Sequence, residues 1–292
     1  MAVRSPLSSG TLYLVSTPIG NLEDITYRAV RILKTVNLIA AEDTRHTTKL
    51  CNHYGISTRR VSLHEHNESK RIPSLLQKLA RGAAIAVVSD AGTPLVSDPG
   101  GKLTAEVLAA GYTVEAIPGP SAVLAALTSS GFCTEKGFSF VGFPPYRSKD
   151  RKEFFLDFIE ESRPVVMFES PHRIIGCMTD LATVFESRRV AICRELTKIH
   201  ESLVIRPINE ILKLVSETRL KGEITLVIEG QSDRTVQKAT PDWTSLLKEF
   251  GQLTLSGLPR RGAIRALATR YRCSSREIYR RIEADKSELF AD

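Results

Sequence analysis

Two signatures of common nucleotide-binding folds are missing from this chain of 292 residues. It contains no G-x-x-x-x-G-K-[ST] loop, which argues against a P-loop nucleotide hydrolase. No strand-like run leads into G-x-G-x-x-G, so a standard dinucleotide site and the usual glycine loop of Rossmann-type methyltransferases are also excluded. An α/β protein of this sequence must therefore bind its ligand in another way.

Paired cysteines and long apolar runs are also missing. The 5 cysteines include no two that lie two or four residues apart, so no zinc or redox pair is visible, and the sparse, odd count fits a reducing cytoplasm. The opening MAVRSPLSSG lacks the apolar core of a signal peptide, and no apolar run approaches the roughly 18 residues of a membrane span. We therefore expect a cytoplasmic protein that does not enter a membrane.

Positive charge is in excess. The hydrophobic content of 42% and the charged content of 25% are ordinary for a soluble globular protein. The formal net charge of +7 and the pI near 9.2 favour an anionic partner, with nucleic acid as the first candidate. A basic enzyme without such a partner remains the alternative.

Strand-like apolar runs alternate with helical patterns along most of the chain, which predicts an α/β fold with a largely parallel sheet covered on both faces. Adjacent strands within 190–206 also allow antiparallel pairs. Predicted strands are 12–16, 36–41, 61–64, 84–89, 113–117, 138–143, 165–169, 190–194, 203–206 and 223–229. Predicted helices are 26–33, 46–54, 69–81, 102–110, 150–160, 171–185 and 208–217.

We predict three parts: an α/β domain over 1–122, a second α/β domain over 123–232, and a linker with a small basic helical domain over 233–292. Residues 258–281 contain eight arginines and one acid, a charge of +7 within 24 residues. Arginine suits phosphate, so this tail is predicted to contact nucleic acid, and a solvated helix pair without ligand is the alternative. The arginines are Arg260, Arg261, Arg265, Arg270, Arg272, Arg276, Arg280 and Arg281.

Residues 87–100, VVSDAGTPLVSDPG, hold two Ser-Asp-x-Gly units. The first follows a predicted strand, and the carboxyl ends of strands hold ligands in open α/β sheets. There Gly92 permits close backbone approach, and Asp90 can accept hydroxyl or ammonium donors. The second unit predicts a helix start, with Asp98 as N-cap and Pro99 as first helical residue. We expect the first unit to face a ligand and the second to be structural.

Two further Gly/Pro loops follow predicted strands. STPIGNLED at 16–24 contains Pro18 and Gly20, and AIPGPSAVLAAL at 116–127 opens a small-residue helix at Ser121. The amides of such a helix start can bind a carboxylate. Each loop alone is more often an ordinary turn, but three in one domain favour a ligand site.

Polar residues gather in four more segments. EDTR at 42–45 is either a self-paired turn or a substrate contact. HEHNE at 64–68 offers half a metal site without an apparent third ligand, so we expect polar substrate contacts and no metal. ESPHR at 169–173 is predicted to cap and open a helix. RELTKIHE at 194–201 crowds acids beside Lys198, and a plain helical ion pair is the alternative.

Nine motifs occur in one order: TPIGNLEDIT, EDTR, HEHNE, SDAGTPLVSDPG, IPGPSA, GFPP, ESPHR, RELTKIHE and KGEITLVIEG. Together they resemble the tetrapyrrole methylase family, in its branch that modifies ribosomal RNA, nearly continuously over 11–230. The resemblance implies two α/β domains with S-adenosyl-L-methionine in the cleft between them, and a homodimer. It also implies methylation of a cytidine 2′-hydroxyl in the decoding centre of 16S rRNA, within the 30S subunit.

Matching motif to motif, the resemblance implies cofactor contacts at Pro18, Asp90, Ala91, Gly92, Thr93, Ser121, Ala122, Met167, Phe168, Glu223, Ile224 and Thr225. The residues that we nominate for RNA contacts are Asp43, Arg45, His66, Arg173, Arg260, Arg261 and Arg265. One departure from the wider family concerns its first loop, usually of G-x-G-P-G type, where this chain has STPIGN.

The implied reaction is an in-line displacement in which the 2′-oxygen attacks a sulfonium methyl group. The reaction needs alignment of the two reactants, and a base, which typically raises the rate about 10²–10⁴-fold. It needs no metal. Lys198, Glu195 and Glu201 are the candidates for proton handling, and His66 is an alternative base. Two other functions stay open: a small-molecule methylase acting on a tetrapyrrole, and a non-catalytic RNA-binding protein on a methylase scaffold.

Overall fold

The chain folds into two compact units. The computed structural model describes residues 8–231 and 243–289, apart from residues 133, 186–187, 219 and 272–274. The first unit extends to Ala125 and includes Leu196–His200, and the second comprises Ala126–Glu195 and the residues from Glu201 onwards. The three-part division at 122 and 232 stays a prediction.

A five-stranded sheet in the order β3-β2-β4-β1-β5 organises the first unit, and every neighbouring pair is parallel. Parallel neighbours require a crossover connection, which helices α1 to α4 supply. The parallel sheet predicted from the sequence is thereby confirmed. The elements are β1 Thr11–Val15, α1 Tyr27–Thr35, β2 Leu38–Ala41, α2 Thr44–His53, β3 Arg60–Ser62, α3 Glu68–Ala80, β4 Ile85–Val88, α4 Gly101–Ala109, β5 Thr113–Ile117 and α5 Ala122–Ser130.

Apolar cores cover both faces of this sheet. Successive strand residues point to opposite faces, so Leu12 of β1 joins one core and Tyr13 joins the other. Leu33 of α1 packs in the core with Tyr13, whereas Leu79 of α3 and Leu103 of α4 pack in the core with Leu12. With both faces covered, ligand-binding groups must lie at the strand ends.

The second unit contains a mixed sheet in the order β6-β7-β10-β8-β9. Only β6 and β7 are parallel, and the three other pairs are antiparallel. The antiparallel pairing of β8 with β9 is the one that the sequence allowed at 190–206. The elements are β6 Ser139–Phe140, α6 Ser148–Leu156, β7 Val165–Glu169, α7 Ile174–Phe185, β8 Arg189–Arg194, β9 Ser202–Pro207, α8 Ile208–Glu217 and β10 Ile224–Ile228.

Three helices follow in the same unit: α9 Trp243–Leu255, α10 Arg260–Arg270 and α11 Ser275–Leu289. They share a small core that includes Leu246, Ile264, Leu267, Ile278 and Ile282. Tyr279 of α11 is 50% exposed. Leu258 and Ala263 instead join the main core of the second unit. The basic helices are therefore anchored to this unit. Arg272 lies outside the described residues.

The predicted helix start at Asp98 and Pro99 is wrong. Helix α4 begins at Gly101, after an N-cap at Gly100 whose φ of 112° is left-handed. Gly100 has no side chain that could accept a helix amide. The acceptor comes from another helix, because Oε1 of the buried Glu68 in α3 accepts the amide of Leu103 at 2.8 Å. A helix capped by a distant side chain carries no local start signal.

Candidate active site

The loops after β1 and β4 are joined by backbone hydrogen bonds. Thr17 N–H donates to the carbonyl of Gly92 at 2.8 Å, and Gly92 N–H donates to the carbonyl of Thr17 at 3.0 Å. The Thr17 hydroxyl also donates to the carbonyl of Ser89 at 3.3 Å. Gly92 has a φ of +80°, which favours glycine. The first Ser-Asp-x-Gly unit therefore sits at the carboxyl edge of the sheet, as predicted.

The loop after β5 meets the same pair. Ser16 Oγ donates to Thr93 Oγ1 at 3.4 Å, and Thr93 Oγ1 donates to the carbonyl of Pro120 at 3.2 Å. A Cβ added to Gly119 would lie 2.9 Å from Ser16 Cβ, so only glycine allows this approach. Helix α5 begins at Ala122, as expected. All three Gly/Pro loops thus meet at one edge.

Asp90 links β4 to the end of β2. Its Oδ1 accepts the amide of Asp43 at 3.0 Å, and its own amide donates to Glu42 Oε2 at 3.2 Å. Burial raises the pKa of Glu42, and the carboxylates of Asp90 and Asp43 raise it further. These carboxylates build an anionic edge, which suits ligands that donate hydrogen bonds.

The second Ser-Asp-x-Gly unit turns back towards this edge. Ser97 has a φ of 66°, a left-handed conformation that a non-glycine residue rarely adopts. Burial raises the pKa of Asp98 to about 6, and Glu42 and Asp90 add to the rise, whereas a hydrogen bond from Ser89 lowers it. Asp98 therefore belongs to the acidic edge rather than to a helix start.

EDTR forms a self-paired turn at the start of α2. Asp43 is the N-cap and accepts the amide of Arg45 at 2.8 Å, and Arg45 Nη2 contacts Asp43 Oδ2 at 2.7 Å. The guanidinium holds the pKa of Asp43 well below its usual range. Of the two alternatives for EDTR, the structure shows the self-paired turn, while Arg45 stays exposed to solvent.

In HEHNE, the rings of His64 and His66 lie 6.1 Å apart between centroids. Asn67 accepts the amide of His64 at 3.0 Å and donates to Ser62, so it closes the turn into α3. Across the described residues, no three His, Cys, Asp or Glu side chains are arranged to hold a metal ion.

RELTKIHE is a loop after β8, so Glu195 and Lys198 do not lie on a helix, as the alternative reading required. Glu195 and Thr197 have φ angles of 53° and 65°, both left-handed. The loop presses on the first Gly/Pro loop: Thr197 Oγ1 accepts the amide of Asn21 at 3.0 Å, and a Cβ on Gly20 would lie 2.4 Å from Lys198 Cγ. Strained backbone of this kind is often found at functional sites.

Two hollows flank the loop at residues 18–23 within the first unit. The larger, of about 680 Å³, is lined by Gly20, Asn21, Leu22, Glu23, His53, Thr197, Lys198, Ile199 and His200. The smaller, of about 240 Å³, is lined by Thr17, Pro18, Leu22, His46, Thr47, Lys49, Leu50, Ser89 and Asp90. Lys198 therefore lines the larger hollow beside the strand-end loops.

The two acids nominated with Lys198 belong to the second unit. Glu195 clamps the entry to β10, because its Oε1 accepts the amide of Glu223 at 2.9 Å. Glu201 precedes β9 and, after burial, is the second cause that raises the pKa of the Cys193 thiol to about 12. Glu195 therefore has a structural contact within the second unit, whereas Lys198 belongs to the first unit.

In the second unit, two predicted cofactor-contact groups are neighbours in the sheet. Thr225 of β10 pairs with Phe168 of β7, and Ile224 pairs with Glu169. Met167 is fully buried in the apolar core of the second unit.

The sequence profile described as Tetrapyrrole (Corrin/Porphyrin) Methylases matches residues 11–212. The chain belongs to the tetrapyrrole methylase family. Its relatives named ribosomal RNA small subunit methyltransferase I include one from Halalkalibacterium halodurans, 41% identical over 92% of this chain and 93% of the relative. One from Synechocystis sp. is 42% identical over 94% and 99%, and one from Escherichia coli O157:H7 is 46% identical over 76% and 79%.

Solved structures of tetrapyrrole methylases share the fold. Uroporphyrin-III-C-methyltransferase from Thermus thermophilus superposes with a TM-score of 0.53 at 20% identity, covering 75% of this chain and 94% of that one. A structure described as uroporphyrin-III C-methyl transferase from Thermus thermophilus complexed with S-adenyl homocysteine gives a TM-score of 0.56 at 17% identity, covering 75% of this chain and 97% of that one.

No helix in the described part of this methylase family member is long and apolar enough to cross a membrane.

The arginines nominated for RNA contacts differ in the hydrogen bonds and ion pairs that they make within the protein. Arg173 donates to the carbonyls of Pro144 and Pro145. Arg260 pairs with Glu283, and Arg265 Nη1 lies 2.9 Å from Asp157 Oδ1. Arg261 is exposed and has no ion pair with another described residue. The aromatic loop that Arg173 holds includes the GFPP motif, but its spacing alone gives no signal of this contact.

Proposed function

We propose that this protein transfers a methyl group from S-adenosyl-L-methionine to the ribose 2′-hydroxyl of a cytidine in the decoding centre of 16S rRNA, on the 30S subunit. The observation that carries the proposal is the 41–42% identity, over more than nine-tenths of the chain, to relatives named ribosomal RNA small subunit methyltransferase I. The fold and the joined strand-end loops are compatible with it.

The residues at the strand ends suit this cofactor. Asp90 is a carboxylate for hydroxyl or ammonium donors, and the start of α5 at Ala122 offers amides for a carboxylate. Gly92, with its left-handed φ, brings backbone groups to the same edge. S-adenosyl-L-methionine would supply an electrophilic methyl group on a sulfonium, which is already a good leaving group.

In the proposed reaction Lys198 takes the proton of the 2′-hydroxyl. A ribose hydroxyl is a weak acid, so a positioned base is worth about 10²–10⁴-fold. The strained turn around Thr197 and the contact with Gly20 support this role, because they hold the lysine beside the strand-end loops. We assign Glu195 to holding the start of β10 rather than to proton transfer, because its carboxylate accepts the Glu223 amide. His66 is the second candidate base.

The target cytidine should be splayed out of its RNA, because an enclosed site cannot admit a nucleotide that stays stacked on its neighbours. Arg45 and the exposed arginines of α10 and α11 would neutralise phosphates, so binding should weaken steeply with salt. We also infer a homodimer, as the family resemblance implies. A cytoplasmic location is in keeping with the free, buried Cys51, Cys177 and Cys193.

Mapping of 2′-O-methyl groups in 16S rRNA by mass spectrometry tests the proposal. 30S particles lacking the modification are incubated with cofactor and either wild type, Lys198→Met or the control Lys102→Met, which changes an exposed lysine of α4. We expect one new methylated cytidine with wild type and control, and a rate at least about 100-fold lower with Lys198→Met. Full activity of Lys198→Met would exclude the lysine as base, and no methylation by wild type would exclude the function.

The role of the tail needs substitutions rather than truncation. Removing residues 240–292 would strip Leu258 and Ala263 from the core of the second unit and confound binding with stability. Changing the exposed Arg261, Arg276 and Arg280 to Gln should weaken 30S binding. The slope of the logarithm of the binding constant against the logarithm of the salt concentration should become shallower by about one for each arginine. Cofactor affinity, measured by calorimetry, should not change. An unaltered salt dependence would contradict phosphate contact by these arginines.

The structural likeness to uroporphyrin-III methyltransferases keeps a tetrapyrrole substrate as the second candidate. A methyl-transfer assay that offers 30S particles and uroporphyrinogen III in parallel separates the two. A third reading, a non-catalytic RNA-binding protein, requires that calorimetry detect no binding of S-adenosyl-L-methionine.

A further inference from the structure

The loop between β6 and α6 exposes two aromatic side chains. In its sequence GFPPYR, Phe143 is 55% exposed and Tyr146 is 80% exposed. Large exposed aromatics so close together on one short loop are costly in water, which raises the question of what they contact.

Two arginine side chains fix the backbone of this loop through hydrogen bonds to its carbonyl groups. Arg173 Nη2 donates to the carbonyl of Pro144 at 2.5 Å and to that of Pro145 at 3.2 Å. Arg151 Nη1 donates to the carbonyls of Pro145 at 3.3 Å and Tyr146 at 2.9 Å. Two guanidinium groups therefore occupy three consecutive carbonyls, and the two prolines further restrict the chain.

Both arginines are themselves anchored by buried acids. Arg151 Nη2 lies 2.6 Å from Asp180 Oδ2, with side chains only 7% and 5% exposed, and Arg173 Nε lies 3.2 Å from the buried Glu169. Buried ion pairs contribute little net stability because desolvation offsets their attraction. What this network does achieve is a fixed loop whose aromatic rings stay in solvent.

The rings are also oriented. The Arg173 guanidinium lies 5.6 Å from the centroid of the Tyr146 ring. The ring of Phe143 lies 5.5 Å from that of Phe168 at the end of β7, a residue proposed above to contact the cofactor. The exposed cations Arg147 and Lys149 follow directly in the chain. Rigid aromatic faces beside cations are what an unstacked nucleic-acid strand requires.

We propose that Phe143 and Tyr146 form a stacking platform for unstacked bases of the RNA substrate, with Arg147 and Lys149 meeting the adjoining phosphates. The inference rests on the proposed function, to which it adds the residues that grip the splayed strand. The neighbouring cations favour RNA over a second copy of this chain, whose own formal charge is +7.

The test compares Tyr146→Ala and Phe143→Ala with Tyr146→Trp, which keeps a stacking face, and Tyr146→Leu, which keeps only apolar area. Tyr27→Ala is the matched control, because Tyr27 is a 97% exposed tyrosine on α1 of the other unit. Binding of a single-stranded RNA oligonucleotide carrying 2-aminopurine is followed by fluorescence, the KM for 30S particles by methyl transfer, and cofactor binding by calorimetry.

We expect the two alanine variants and Tyr146→Leu to bind the oligonucleotide roughly tenfold to a hundredfold more weakly, with a matching rise in KM. Tyr146→Trp should retain oligonucleotide binding because it keeps a stacking face, Tyr27→Ala should behave as wild type, and cofactor affinity should be unchanged in the Tyr146 variants. Equal oligonucleotide binding by wild type and Tyr146→Ala would overturn the platform. So would a change of sedimentation from dimer to monomer in the alanine variants without loss of RNA binding, which would assign the aromatics to a subunit interface. Inactivity of wild type on 30S particles would instead refute the proposed function, and the oligonucleotide measurement would still decide on the platform.

Discussion

Replacing Asp98 by asparagine should remove a pH-dependent loss of stability. Burial raises the pKa of this carboxyl to about 6, with Glu42 and Asp90 adding to the rise. A carboxyl with a higher pKa in the folded than in the unfolded chain binds its proton more tightly when folded. Stability is therefore present at low pH and is lost as the pH rises from about 4 through about 6.

The magnitude follows from the two pKa values. The difference between about 6 and the ordinary value of 3.8 corresponds to about 3 kcal/mol of unfolding free energy. Asp98 is only partly buried, and solvent screening reduces this to about 1–2 kcal/mol. Asp98→Asn has the same size and no charge, so its stability relative to wild type should increase by that amount between about pH 4 and pH 7.

Urea unfolding followed by circular dichroism at several pH values measures this difference. Glu106→Gln is the control, because it neutralises an exposed acid on the neighbouring helix α4. Titration of the Asp98 ¹³Cγ resonance provides a direct value of the pKa. Parallel stability curves for wild type and Asp98→Asn, or a midpoint below about pH 4.5 for the resonance, would refute the reasoning.

Two further predictions concern close contacts. Gly20→Ala should lower the methylation rate about tenfold to a hundredfold at unchanged cofactor affinity, because the new Cβ would displace the Lys198 side chain. The control is Gly101→Ala, where an added Cβ meets no atom within 4 Å. A normal methylation rate for Gly20→Ala would contradict the role of this contact. Glu68→Ala should lower the free energy of unfolding by about 1–3 kcal/mol, because the buried amide of Leu103 loses its acceptor, whereas Glu68→Gln keeps an oxygen there. Equal urea midpoints for all three proteins would show that this cap is dispensable.

Local sequence pattern predicted most of the elements because both sheets are built from apolar runs separated by turn residues. The strands at Thr113–Ile117 and Val165–Glu169 and the helix at Ile208–Glu217 have the predicted ends. The strand expected over 138–143 shrinks to Ser139–Phe140, because the chain turns at Gly142 with a φ of 65° and enters the loop held by the two arginines.

For the site, the motifs predicted Gly/Pro loops at strand ends of the first unit, and the structure shows the contacts between these loops. The three Gly/Pro loops of the first unit meet as expected. The position of Asp98 was predicted wrongly, since its hydrogen bond with Ser89 and its closeness to Glu42 and Asp90 are tertiary contacts that the local helix-start pattern does not encode. The anchoring of GFPPYR by Arg151 and Arg173 could not be predicted from spacing either, because no periodic pattern encodes it.

The sequence by itself determined the α/β class, the parallel first sheet and the basic tail, because hydrophobic periodicity and net charge are local or additive properties. Through its ordered motifs it also indicated the methylase family. Only the tertiary structure decided that Glu68 caps α4, that Asp98 joins the acidic edge, that Lys198 lies against Gly20 and that two aromatic rings are held out into solvent. Each of these depends on side chains brought together from distant parts of the chain, where packing and desolvation rather than neighbouring residues set the outcome.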